Sequence, residues 1–105
     1  MLEEGISHLS VVLSARPGDV DVRYNMAVAL TTQGKENKAI SEYEKILEMD
    51  PKHAAAHNNL GIILARKGNL AEAAMHFSTA LQINPDFKEA KRNLQKAERL
   101  TTADN

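Results

Sequence analysis

Apolar residues recur along the chain at spacings of three and four, which is the period of a helix with one buried face. One such segment carries Val22, Met26, Ala29 and Leu30, and no stretch alternates apolar and polar residues as a half-buried strand does. The linkers between these segments are short, so neighbouring helices are expected to be antiparallel. The pattern predicts an all-α chain with six helices, at residues 2–15, 20–33, 36–49, 54–67, 70–83 and 88–101.

These helices repeat in pairs at a fixed period. Pro17, Pro51 and Pro85 are 34 apart, and glycine, alanine, leucine and asparagine recur in the same register. Gly34 and Gly68 predict the end of the first helix of each pair, because glycine tolerates the left-handed turn after a last carbonyl. The prolines predict the end of the second helix. A fixed period of this length is the signature of stacked helix-pair repeats.

Each period resembles the tetratricopeptide repeat (TPR), in which an aromatic residue precedes Leu-Gly, and an Ala, a further aromatic and a Pro follow. The second full period is the closer match, with Gly61, Phe77 and Pro85 in the family positions. Both periods lack the leading aromatic, where this chain has Arg23 and His57, so weak packing is expected there. The resemblance implies a right-handed α-solenoid of antiparallel helix pairs, the TPR superhelix.

The resemblance also implies one TPR domain over residues 1–105. Within it, residues 1–19 hold the second helix of a partial repeat, residues 20–53 and 54–87 are full repeats, and residues 88–105 are a capping helix and tail. The first helix lacks the partner that would cover it, so either the chain comes from a longer array or this face docks on another copy. The self-association residues predicted on that helix are Leu2, Ile6 and Leu9.

The last predicted helix has only a thin apolar stripe, formed by Ala90, Leu94 and Ala97. Polar residues stand where a further repeat would need packing residues. This pattern is typical of a solvated cap, and caps keep solenoids soluble. The helix at 88–101 is therefore expected to be the natural C-terminal end of the array.

Composition excludes several classes of function. The chain is 43% hydrophobic and 26% charged, with a formal charge of −1, which gives no reason to expect nucleic-acid binding or recruitment to a membrane. It has no cysteine, so disulfides and thiolate metal sites are excluded. No apolar run approaches the ~20 residues of a membrane span. The acidic start does not fit a signal peptide, and a cytoplasmic location is expected by default.

The titratable residues form no recognisable catalytic motif. His53 and His57 have the four-residue spacing of a helical metal pair, but His53 falls in a linker and no third ligand is near in sequence. His8 and His76 are interpreted as ordinary helix-surface residues, and Glu42 is placed with other acids on a solvated face. The sequence therefore predicts no enzyme, no cofactor and no metal.

Five bases lie on the last predicted helix, which carries only two acids. No aromatic residue accompanies them, and nucleic-acid sites normally add stacking aromatics. A soluble cap is the simplest interpretation, and attraction for an acidic partner is the second. The bases are Lys88, Lys91, Arg92, Lys96 and Arg99.

The TPR resemblance implies a concave groove that binds a protein partner. Asn25, Asn59 and Asn93 share one register and look like the asparagine ladder of O-GlcNAc transferases, which holds extended polypeptide by its backbone; a packing or solvated role explains them as well. Only Asn59 matches the five positions of the clamp that chaperone-binding TPR domains use for a C-terminal carboxylate. The predicted peptide-binding residues are Tyr24, Asn25, Val28, Asn58, Asn59, Ile62, Arg66, Arg92, Asn93 and Lys96.

The predicted function is a non-catalytic scaffold that binds an extended peptide or a partner helix in this groove. Two alternatives remain open from the sequence. One is a homo-oligomer formed through the half-covered first helix, because exposed apolar stripes mark interfaces. The other is the targeting domain of a larger enzyme, since a repeat fold does not settle function.

Overall fold

The computed structural model describes residues 2–103, with the side chains of residues 5–102. Six helices form this part of the chain, and no strand occurs in it. The helices are α1 (Leu2–Ala15), α2 (Val20–Thr32), α3 (Glu36–Met49), α4 (Ala54–Arg66), α5 (Leu70–Ile83) and α6 (Lys88–Ala103). The predicted all-α solenoid is confirmed. Predicted bounds agree closely, although α2 and α4 end one residue early and α6 continues two residues further.

The chain divides into two compact units. The first holds α1, α2 and α3 and ends at Pro51, and the second begins at Lys52 and holds α4, α5 and α6. Within the first unit α2 packs against both α1 and α3. Within the second, α5 packs against both α4 and α6, and α4 also touches α6.

The turns that follow α2 and α4 have the same backbone conformation at their glycines. Gly34 and Gly68 have φ of 83° and 86°, a left-handed conformation that a Cβ disfavours. After α4, the Gly68 N–H donates to the Ala65 carbonyl at 3.0 Å and the Asn69 N–H donates to the Leu64 carbonyl at 2.9 Å. These two bonds satisfy the last carbonyls of the helix, so the predicted helix ends at both glycines are confirmed.

The starts of α2 and α4 are capped by side chains at equivalent repeat positions. The Asp19 carboxylate accepts a hydrogen bond from the Val22 N–H at 3.1 Å. In the next repeat, His53 Nδ1 accepts from the Ala56 N–H at the same distance, 3.1 Å. His53 therefore has a structural role as the helix cap, which only an unprotonated Nδ1 can fill.

A buried ion pair joins α2 to α3 in the first unit. Arg23 Nη1 lies 2.6 Å from Glu42 Oε2, and Arg23 Nη2 donates to the Pro17 carbonyl at 2.9 Å. The two side chains are only 10% and 12% exposed. The sequence interpretation that placed Glu42 on a solvated face is wrong, because this side chain turns inward beside Tyr43 to meet the guanidinium. Arg23 also replaces the expected weak packing with a specific contact.

Two histidines occupy the same positions one repeat later. His57 on α4 is the repeat equivalent of Arg23, and His76 on α5 is the equivalent of Glu42. The Nδ1 atoms of the two histidines are 3.1 Å apart. Both side chains are half-buried. The interpretation of His76 as an ordinary surface residue is wrong, since it faces α4 rather than solvent alone.

The core of the second unit depends on close contact between α4 and the Phe77 ring. Phe77 is 2% exposed, and a Cβ built on Gly61 would lie 2.6 Å from its Cε1 atom. In the first unit the equivalent residues are Ala27 and Tyr43, both buried. The second repeat therefore uses glycine to let this ring pack directly against the helix backbone.

Replacing Gly61 with alanine is expected to lower the free energy of unfolding by about 1–2 kcal/mol. Overpacking a core costs about 1–3 kcal/mol, and the gain of roughly 0.5–1 kcal/mol from removing a helical glycine offsets only part of it. Gly5→Ala is the matched control, because Gly5 also lies in a helix but has nothing within 4 Å of a built Cβ. Urea unfolding should show a small gain for the control; a gain for Gly61→Ala would contradict the tight contact.

Candidate peptide-binding surface

An amide–amide hydrogen bond ties α4 to α6. The Asn93 Nδ2 group donates to Asn58 Oδ1 at 3.0 Å, and the Asn58 amide approaches Asn59 Oδ1 at 3.5 Å. Asn58 is 1% exposed. The prediction that Asn58 contacts a ligand is therefore corrected: its side chain is buried between the two helices and holds Asn93 in place.

A cavity of about 290 Å³ opens beside this link and is lined by residues of α4, α5 and α6. Its wall is mainly apolar and includes the buried Phe77 ring and Leu100, which is 45% exposed. Three polar side chains border it, namely Arg66, Asn93 and Lys96. The complete lining is Ile62, Ala65, Arg66, Leu70, Phe77, Asn93, Lys96, Ala97 and Leu100.

The structure brings four of the predicted peptide-binding residues together at this cavity. They are Ile62, Arg66, Asn93 and Lys96. Asn59 is half-buried on α4 and Arg92 is exposed on α6, and neither lines the cavity.

Apart from Ile62, the sequence did not predict the apolar residues of the cavity wall as binding residues. Leu100 could have been predicted, because it lies one period after Arg66, at the same repeat position as that predicted binding residue. The sequence places Phe77 at a TPR family position and Ala97 on the thin apolar stripe of the last helix, and neither pattern indicates that a cavity reaches them.

The remaining predicted groove residues lie on α2 in the first unit. Asn25 is exposed and Val28 is 38% exposed. Tyr24 is half-buried and packs edge-on against Tyr43, with ring centroids 6.1 Å apart. Contact of these three residues with a ligand stays a prediction.

The predicted self-association stripe on α1 is partly covered within its own unit. Ile6 and Leu9 are half-buried, and the side chain of Leu2 lies outside the described residues. Among the described side chains of α1, Val11 is the most exposed large apolar one, at 69%. Self-association through this helix stays a prediction.

Charge differs sharply between the two halves of the sequence. Residues 1–51 contain five Lys and Arg against nine Asp and Glu, whereas residues 52–105 contain eight against five. The predicted solvated face of α6 is confirmed, since Lys91, Gln95 and Glu98 are exposed while Ala90 and Ala97 are buried. The second unit is therefore the basic part of the chain.

Residues 2–103 contain neither a metal-binding cluster nor a membrane-spanning helix. This part of the chain holds no cluster of three or more His, Asp or Glu side chains able to bind a metal ion. None of its helices has the length and apolarity to cross a membrane.

Comparison with known proteins identifies the repeat. A family model described as tetratricopeptide repeat matches residues 24–86. The crystal structure of YrrB, described as a TPR protein with an unusual peptide-binding site, is 26% identical with a TM-score of 0.82; the match covers 87% of this chain but only 47% of that one. A comparison with curated protein sequences gives no significant match.

Two peptide complexes have the same fold. The second TPR domain of human RPAP3, in complex with the HSP70 peptide SGPTIEEVD, is 24% identical with a TM-score of 0.85, over 92% of this chain and 81% of that one. The first TPR of Spaghetti (RPAP3), bound to the HSP90 peptide SRMEEVD, is 21% identical with a TM-score of 0.92, over 96% and 80%. At these identities the likeness extends to the fold alone.

Proposed function

Because this chain belongs to the tetratricopeptide repeat family, whose domains are protein–protein interaction modules, we propose that its second unit binds an extended segment of a partner protein. The binding site is the α4–α6 surface, formed by Asn59, Ile62, Arg66, Arg92, Asn93, Lys96 and Leu100. The observation that carries the proposal is the apolar cavity with polar side chains around its mouth. A concave, mostly apolar site with a few convergent polar groups is the usual form of a binding pocket.

The cavity supplies the main source of affinity. One large aliphatic or aromatic side chain of the partner fills it, packing against Phe77, Ile62 and Leu100. Complete burial of such a side chain contributes about 1.5–3 kcal/mol. This anchor sets the register of the bound segment.

Asparagine side chains suit the backbone of that segment. Each amide offers both a donor and an acceptor, so it can pair with a peptide group whatever the neighbouring side chain is. The bond to Asn58 uses one of the two amide hydrogens of Asn93 and fixes the plane of its amide. Asn59 lies on the same surface and supplies a second amide.

The bases around the cavity select the charge of the partner. Arg66 and Lys96 border the cavity, and Arg92 lies one turn earlier on α6. Their combined field favours a segment with acidic residues next to the apolar anchor. The RPAP3 peptides end in EEVD, but only Asn59 of this chain matches the clamp for a C-terminal carboxylate, so the proposal requires no chain terminus.

A blocked synthetic peptide tests the proposal. Its sequence is acetyl-Gly-Ser-Glu-Leu-Glu-Ser-Gly-amide, and its titration is followed by amide chemical shifts of the whole protein. Saturable shifts are expected at Ile62, Arg66 and Leu100. Replacing the peptide leucine with alanine or both glutamates with lysine should abolish them. Shifts spread evenly over both units would contradict the site.

Charge reversal of one lysine separates a local contact from a general electrostatic effect. Lys96→Glu is expected to weaken binding of this peptide about 5–10-fold, a loss of about 1–1.4 kcal/mol. Lys91→Glu makes the same change of charge on the same helix, at an exposed residue outside the cavity lining. It should weaken binding less than about twofold, by general screening alone. Equal losses would show that only net charge matters.

A further inference from the structure

The His57–His76 contact can exist only in some protonation states. The two Nδ1 atoms are 3.1 Å apart, with ring centroids at 5.3 Å and a 32° angle between the planes. A hydrogen bond at this distance needs one Nδ1–H donor and one unprotonated Nδ1 acceptor. A first proton taken up by the pair can be shared between the two nitrogens. A second proton places two charged donors against each other.

In the first unit, an arginine and a glutamate occupy the same two repeat positions as these histidines. Arg23 and Glu42, one repeat earlier in the sequence, join α2 to α3 through an ion pair of 2.6 Å. Histidine is the side chain whose ordinary pKa lies between pH 5 and pH 8. The repeat thus places an arginine–glutamate contact in one helix pair and a histidine–histidine contact in the next.

We propose that the His57–His76 pair is a pH-sensitive link between α4 and α5, which holds the two helices together at neutral pH and releases them when the pair takes up its second proton. His57 precedes Asn58, which holds Asn93, and His76 precedes Phe77 of the cavity wall. Loosening of this link therefore acts on the packing beneath the α4–α6 surface. The link operates whether or not that surface binds a peptide.

The surroundings of His76 support loss of the link as the pH falls. Burial and the charge of His57 on α4 lower the pKa of His76 below its ordinary value of 6.5, and Glu72 on α5 opposes them. From α6, the residue at the repeat position of His57 is Lys91, which is exposed. A lowered pKa in the folded state means that the unfolded chain binds the proton more readily. The stabilising contribution is present above about pH 6.5 and is lost as the pH falls through the folded-state pKa.

The Arg23–Glu42 pair of the first unit provides a control for a test by thermal unfolding. His57→Arg combined with His76→Glu transplants the contact of the first unit into the second and removes its titration. Between pH 7.5 and pH 5.5, in EDTA so that no metal contributes, the melting temperature of the native protein is expected to fall about 4–8 °C further than that of this variant. His8 and His53 are present in both proteins, so their contributions cancel. Equal falls in the two proteins would overturn the proposal.

A second measurement starts from the native protein and adds one single-residue variant. The imidazole resonances of His76, followed by NMR from pH 8 to pH 5, should titrate with a midpoint below 6.5, and His57→Gln should move this midpoint upward. Amide hydrogen exchange of α5 should quicken over the same pH range, after correction for intrinsic rates. A midpoint at the ordinary value, or one unaffected by His57→Gln, would overturn the link between the two rings.

Discussion

Replacing Glu42 with alanine is expected to lower the free energy of unfolding by about 2–4 kcal/mol. Breaking a buried ion pair by removing one partner costs about 3–5 kcal/mol, because the other charge stays buried without compensation. Here the side chains retain slight exposure and Arg23 keeps its bond to the Pro17 carbonyl, so the expected loss is about 1 kcal/mol smaller than that range. The buried Arg23 Nε atom has no hydrogen-bond partner among the described residues, which leaves the guanidinium more dependent on this carboxylate.

Two variants make the Glu42 result interpretable in urea unfolding. Glu44→Ala removes the same charge from an exposed position on α3 and should change stability by less than about 0.5 kcal/mol. Arg23→Met together with Glu42→Leu removes both charges and should be more stable than Glu42→Ala alone, since no charge is then buried unpaired. If the double variant were less stable than Glu42→Ala, the attraction between Arg23 and Glu42 would itself be a net source of stability.

Replacing Phe77 with alanine is expected to cost about 3–5 kcal/mol, the range for truncating a large buried aromatic. Its ring is 2% exposed and packs against the backbone of α4 at Gly61, so the helices cannot close the resulting cavity without moving. Met75→Ala is the matched control, because Met75 lies on the same helix and is 65% exposed. That control should change stability by less than about 0.5 kcal/mol.

The Phe77 variant also tests which unit depends on this ring. Hydrogen exchange of the full chain should show the largest loss of protection in α4 and α5, with α2 and α3 less affected. A Phe77→Leu variant keeps part of the buried volume and should lie between alanine and the native protein. If Phe77→Ala and Met75→Ala differed by less than about 1 kcal/mol, the ring would not be the packing centre inferred here.

The helices and their order could be predicted because local chemistry determines them. Gly34 and Gly68 end helices through a backbone conformation that depends on their own residue type, and the prolines act in the same local way. The regular repeat period then supplied an independent check, because each helix end had to recur at a fixed distance. Helix bounds were accordingly close to those of the structure.

The contacts between helices were harder to predict for a physical reason. Glu42 and His76 each lie 19 residues after their partners, on the next helix, and nothing in their own helical segment distinguishes a residue facing a neighbour from one facing solvent. Asn58 was mispredicted for a similar reason. Neighbouring residues of a helix point about 100° apart, so Asn58 can be buried although Asn59, the next residue, was predicted to line the same groove. Only the comparison of equivalent positions between repeats could have pointed to these pairs.

The packing of each helix mainly against the next helix in sequence has a consequence for how the chain folds. Most tertiary contacts within each unit join helices separated by a single short turn. Little loop-closure entropy must be lost before such contacts form. Helical proteins rich in local contacts of this kind fold in microseconds to milliseconds. Nascent chain leaving a ribosome could thus complete one helix hairpin before the next is synthesised.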